Sequence, residues 1–109
     1  MEPLRFLGSS RSDLQEFPVD ARREAGYQLD HVQWGTEPGD WKPMQGIGPG
    51  VREIRIREAS GAFRIIYVAS IADAVYVLHV FQKKTRRTSL RDIQLATQRY
   101  RDLVKGSKR

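Results

Sequence analysis

The chain has 109 residues, 19 Lys and Arg against 13 Asp and Glu, a net charge of +6 and no cysteine. That length suits one domain with a single core, and the missing cysteines exclude disulfides, thiolate nucleophiles, iron–sulfur clusters and thiol-bound zinc. Two histidines, His31 and His79, are too few for a His-rich metal site, and no apolar run approaches the ~20 residues of a membrane helix. The N-terminus lacks the apolar region of a signal peptide, so the expectation is a cytoplasmic protein with no membrane partner and no bound cofactor.

In chain order, Leu4-Arg5-Phe6-Leu7 reads as a short strand closed by Gly8-Ser9-Ser10. Residues 10–17 suggest a helical turn or two. Pro18 fits the first turn of the next helix, where its missing N–H costs nothing. Ala21, Ala25, Leu29 and Val32 recur at helical spacing and predict a helix over 18–34, closing a helical hairpin and stopped by Gly35. Residues 35–50 hold five glycines and three prolines in no phosphate-binding or dinucleotide pattern, and read as a surface loop flanked by Trp34 and Trp41, which are expected to pin it to the core.

Three strand-like runs follow, at 51–57, 63–69 and 74–81. In the first, Ile54 and Ile56 alternate with Glu53, Arg55 and Arg57, so one face is buried and the other charged. The other two are apolar on both faces, as in central strands covered by helices. Their short connections predict an antiparallel meander. By simple alternation His79 shares a face with Val75, Val77 and Phe81. Ser89 and Asp92 form a capping-box-like start to a last helix bearing Leu90, Ile93, Ala96, Tyr100, Leu103 and Val104, with Gly106 at its end and residues 106–109 as a frayed basic tail. The expected architecture is α+β: one small domain with an N-terminal strand and helical hairpin, an antiparallel β-meander and a C-terminal helix.

Charge is unevenly spread. Residues 83–109 carry ten cations and two acids, whereas the first 82 residues carry nine cations and eleven acids. Such polarity attracts polyanions. The third strand runs straight into Gln82-Lys83-Lys84-Thr85-Arg86-Arg87. Arg64 stands in a run otherwise of Phe, Ile, Tyr and Val, where a charge needs a partner or a task. Two accounts of Arg64 stay open: a phosphate ligand, or one half of a structural ion pair with Glu53 or Glu58.

Gly61-Ala62-Phe63-Arg64-Ile65-Ile66-Tyr67, then Val77-Leu78-His79-Val80-Phe81-Gln82-Lys83-Lys84-Thr85, then a helix with Ile93, Ala96 and Arg99, resembles the RelE/HigB toxin superfamily, nearest its phage-derived branch. Gly50 followed by Val51-Arg52-Glu53-Ile54-Arg55 fits the same pattern. The resemblance spans residues 44–100, and covers 4–35 only in element order. It implies the RelE-like fold and the toxin of a type II toxin–antitoxin pair, a ribosome-dependent mRNA endoribonuclease that inhibits translation. In that chemistry a 2′-hydroxyl attacks the adjacent phosphate without a metal. The resemblance assigns phosphate binding to Arg64 and Arg55, transition-state or leaving-group stabilisation to Lys84, and the candidate base to Glu53 or a neighbour. Lys83, Arg57, Arg86 and Arg87 would hold flanking RNA. The implied partners are mRNA on the ribosome and a helix-turn-helix, HigA-like antitoxin, in a complex of the two proteins. This chain departs from several relatives in lacking a C-terminal Tyr or His for proton transfer, and Tyr100 points toward the core by helical period. Two alternatives from other classes remain: a non-nuclease inhibitor of DNA gyrase of the ParE kind, and a nucleic-acid-binding module without chemistry.

Overall fold

The computed structural model describes residues 1–107 and forms one five-stranded sheet between two helical layers. The order along the chain is β1 (Leu4–Phe6), α1 (Ser10–Gln15), α2 (Val19–Gln33), β2 (Trp41–Pro43), β3 (Val51–Glu58), β4 (Gly61–Ile71), β5 (Ala74–Lys83) and α3 (Leu90–Ser107). Across the sheet the order is β1-β5-β4-β3-β2. The expected α+β architecture is therefore present, and β3, β4 and β5 form the antiparallel meander. β1, however, joins β5 in parallel, which makes the sheet mixed. Helices α1 and α2 supply the long crossover that such a parallel pairing requires.

Each helix covers one face of the sheet. Ala21, Ala25, Leu29 and Val32 of α2, with Phe17, pack on Ile54, Ile56, Phe63, Ile65, Tyr67, Val75, Val77 and Val80. On the opposite face, Ala96 of α3 packs with Val51, Ile66, Val68, Leu78 and Ile47, and Tyr100 joins them as expected from its helical position. Gly48 allows this fit: a Cβ there would collide with the Tyr100 ring.

Four expectations change. The loop 35–50 contains β2, which pairs antiparallel with β3 through Trp41↔Ile54, Lys42↔Glu53 and Pro43↔Arg52. A three-residue edge strand among glycines and prolines is too short to show a period of its own. Trp34 does not pin the loop, being 64% exposed; Trp41 is half-buried beneath the Arg52 guanidinium, which stacks 3.9 Å from its ring centroid. His79 does not share a face with Val75 and Val77. The β4–β5 register slips between Ile66 and Tyr67, so that His79 pairs with Ile66 while Val77 pairs with Tyr67. A bulge of this kind shifts the alternation by one residue and re-aims the side chains beyond it. The expected frayed tail begins inside α3, which continues through Gly106 to Ser107; Lys108 and Arg109 lie outside the described residues.

Candidate functional site

The charged site is built from three cross-strand rows on the α3 side of the sheet. Residues directly opposite each other across strands share a face. The register thus sets Lys42, Glu53, Ile66 and His79 in one row, Arg55, Arg64 and Phe81 in the next, and Arg57, Ala62 and Lys83 in the third. Two arginines directly opposite repel, and an acid in the adjoining row offsets this. Glu53 Oε1 lies 3.6 Å from Arg64 Nε and 3.9 Å from both Arg55 Nε and Lys42 Nζ. Its other oxygen, Oε2, accepts a hydrogen bond from Thr88 Oγ1 at 3.0 Å.

Glu53 is 1% exposed and Arg64 3% exposed. One carboxylate therefore faces three cations, and the local balance stays positive. Arg64 Nη1 donates to its neighbour Phe63 O at 3.0 Å, while the buried Nε atoms of Arg64 and Arg55 have no hydrogen-bond acceptor among the described residues. Burial lowers the Arg64 pKa, opposed by Glu53 and reinforced by Arg55 and Arg57. Desolvation, with the positive charge of Arg64, also lowers the Lys83 ammonium below the usual lysine range; Glu53 opposes the shift, and Lys42 and Arg55 add to it. The surplus of positive charge over the buried carboxylate makes this cluster a candidate anion site.

Beside these rows lies a cleft of about 630 Å³. It opens where β1, paired only with Val75–Val77, leaves the rest of the β5 edge without a neighbouring strand. Val80 and Phe81 line its floor, Asp13 and Glu16 one rim, and Lys83 and Lys84 the other. Lys83 thus belongs to both the cleft and the anion site.

Of the residues singled out from sequence, Arg55, Arg64 and Glu53 come together, with Arg57 and Lys83 in the adjoining row. Lys84 lies past the end of β5, exposed on the cleft rim. Arg86 and Arg87 are exposed on the connection to α3. Two participants escaped sequence reasoning, Lys42 and Thr88. Lys42 is brought in by the pairing of β2, and Thr88 reaches Glu53 across 35 positions of chain; neither leaves a local signal.

Residues 12–101 match the protein family described as "Phage derived protein Gp49-like (DUF891)". Among solved structures, the chain is similar to an arginine-substituted mutant of the E. coli toxin RelE in the free state, with a TM-score of 0.59, 15% identity and 96% of each chain covered. It is also similar to the isolated E. coli RelE toxin, with a TM-score of 0.56, 16% identity, and coverage of 97% of this chain and 98% of that one. At such identity the likeness carries the fold alone. No curated protein matches the chain.

Proposed function

The chain belongs to the phage-derived Gp49-like family, a family of RelE/HigB-type toxins, and from that premise we propose that it is a toxin that cleaves mRNA on the ribosome. The observation that carries the reading is the candidate anion site: buried Arg64, with Arg55, Lys42 and Lys83, around the buried carboxylate of Glu53.

In this chemistry the RNA 2′-hydroxyl gives its proton to solvent water as its oxygen forms a bond to the adjacent phosphorus and the bond to the 5′ oxygen breaks. The products are a 2′,3′-cyclic phosphate and a 5′-hydroxyl end, and no metal is needed. Charge gathers on the phosphate oxygens, where fixed cations stabilise it without reorganising. Arg64 and Arg55 hold the scissile phosphate. Arg64 is fixed by its strand and by Glu53, so little order is lost when substrate arrives. Glu53, engaged by Arg64, Arg55, Lys42 and Thr88, serves as the counter-ion that spaces the cations. Lys83, half-buried in the wall of the cleft and with a lowered pKa, gives the proton to the departing 5′ oxygen. Lys84, Arg57, Arg86 and Arg87 grip the flanking backbone, and Lys42 joins the phosphate ligands. The neutralising partner is a HigA-like helix-turn-helix antitoxin that presents acidic side chains to this face.

Primer extension on mRNA after induced expression tests the reading. The expected result is a set of sharp new 5′ ends within translated codons. Growth arrest with DNA-damage signalling and intact mRNA would overturn it in favour of gyrase inhibition.

A further inference from the structure

The reaction outlined above makes no use of a buried polar group on the same face of the sheet. His79 is 5% exposed, and the β5 bulge turns it toward α3 instead of into the α2 core. Its Nε2 lies 2.7 Å from Asp92 Oδ1. Its Nδ1 lies 3.4 Å from Arg99 Nη1, which also donates to the Leu78 carbonyl at the bulge, 2.9 Å away. Arginine can only donate, so Nδ1 accepts and the imidazole proton sits on Nε2, facing the carboxylate. With both nitrogens engaged, His79 has neither a free donor nor a free acceptor to offer a substrate.

The network continues from both ends. Asp92 Oδ2 accepts from Ser89 Oγ at 2.6 Å, and Ser89 Oγ in turn accepts the Asp92 N–H at 3.1 Å, capping α3. Arg99 Nη2 donates to Ser9 Oγ at 3.1 Å, and its guanidinium lies so close over Gly8 that any side chain there would collide with it. Ser9 donates in turn to Asp13 at 2.8 Å. Residue 88, immediately before the cap, donates to Glu53. The basic connection 84–87 therefore leaves β5 at one end and is fastened at the other by two successive residues. Thr88 ties it to the anion site, and Ser89 ties it through Asp92 to His79.

Stability alone gives little reason for this arrangement. His79 stacks on Phe81 with ring centroids 5.2 Å apart and lies opposite Ile66, where an apolar side chain would bury without needing a partner. Replacing buried ion pairs by well-packed apolar groups is often neutral or favourable. What the polar pair adds is direction, because it sets where α3 begins and so where the basic connection stands.

We infer that His79, acting through Asp92 and the Ser89 cap, is a positioning residue that holds Lys84, Arg86 and Arg87 over the RNA path. The inference rests on the proposed RNA-binding reading of this face.

The test compares His79→Leu, which removes both polar contacts, with His79→Gln, whose amide N–H can occupy the place of Nε2–H before Asp92. Binding of a single-stranded RNA oligonucleotide is measured across salt concentrations, and kcat and KM are measured on mRNA-programmed ribosomes. Each lost single-strand phosphate contact removes about 0.7 from the salt slope, so losing those of Lys84, Arg86 and Arg87 should lower it by about 2.1. Affinity should fall roughly tenfold, the worth of three exposed charge contacts. In His79→Leu, KM should rise with kcat almost unchanged, and His79→Gln should restore both KM and slope. An unchanged slope in folded His79→Leu overturns the inference. So does a His79→Gln variant as impaired as His79→Leu, which would mean that the imidazole itself does chemistry. If His79→Leu does not fold, Asp92→Ala, which approaches the pair from the more exposed side, carries the same expectations. A wild-type protein that binds RNA but leaves ribosomal mRNA intact refutes the nuclease reading alone, since the salt slope still judges His79; one that binds no RNA overturns both.

Discussion

The two faces of the sheet are made from the same three long strands and differ sharply. The α2 face is apolar along its length, from Val75 and Val77 through Tyr67 and Phe63 to Ile54 and Ile56. The α3 face is apolar around Val51, Ile66, Val68 and Leu78, then gives way to Glu53, Arg55 and Arg64. The difference lies in what covers them. Helix α2 lays Ala21, Ala25, Leu29 and Val32 over one face, whereas α3 starts only at Leu90, and Thr88 just before it reaches Glu53 in the charged rows. A dry face supplies the rigidity, and the incompletely covered one holds charge at fixed positions.

The largest expected effect falls on the charged face. Arg64→Ala should lower the cleavage rate by ~10²–10³, the usual cost of one preorganised charge contact, read by primer extension or single-turnover cleavage. Because Arg64 is paired with buried Glu53, the melting temperature should fall as well. Glu53 keeps Thr88, Arg55 and Lys42 as neighbours, so the stability loss should stay near ~1–3 kcal/mol. Arg64→Lys should recover much of the stability and little of the rate, since one ammonium does not replace a guanidinium fork. Full activity in folded Arg64→Ala would remove Arg64 from the site.

On the dry face the reverse pattern should appear. Leu29→Ala opens a cavity in the α2 layer and should cost about 2–5 kcal/mol of stability in denaturant titration. The protein that remains folded should cleave at the wild-type rate. A rate loss beyond the folded fraction would show that the two faces are not independent.

A smaller effect sharpens the assignment of Lys83. As a proton donor it must be charged, so activity should fall as pH rises past a Lys83 pKa that lies below 10.5. The sign for stability is opposite: a lysine whose pKa is lowered by folding favours the folded state on deprotonation, so stability should rise as pH climbs from the folded-state value toward 10.5. Glu53 opposes the lowering, so Glu53→Gln should move the alkaline fall in activity to lower pH. An alkaline limb that stays put in both Glu53→Gln and Lys83→Arg would exclude Lys83 as the donor. The smallest expected change belongs to Arg86→Ala: exposed on the connection, it should lower the salt slope of RNA binding by about 0.7 and leave kcat unchanged.

Much of this was legible residue by residue. The helix predicted over 18–34 is Val19–Gln33, and the strands predicted at 51–57, 63–69 and 74–81 are Val51–Glu58, Gly61–Ile71 and Ala74–Lys83. The Ser89–Asp92 cap is present as expected. Arg64 was conspicuous as a lone charge in an apolar run; the ion pair with Glu53, one of its two proposed accounts, is present. His79 was misplaced because alternation assumes an unbroken register, and a bulge depends on how two strands fit together.

The amino-acid sequence by itself determined where the longer helices and strands lie and where positive charge accumulates, because periodicity and charge act over a few neighbouring residues. Tertiary structure alone decided that β1 runs parallel to β5, that Lys42 and Thr88 reach Glu53, and that His79 faces Asp92. Each of those contacts joins segments distant along the chain, and no local preference encodes a distance between residues that only strand pairing and helix docking bring together.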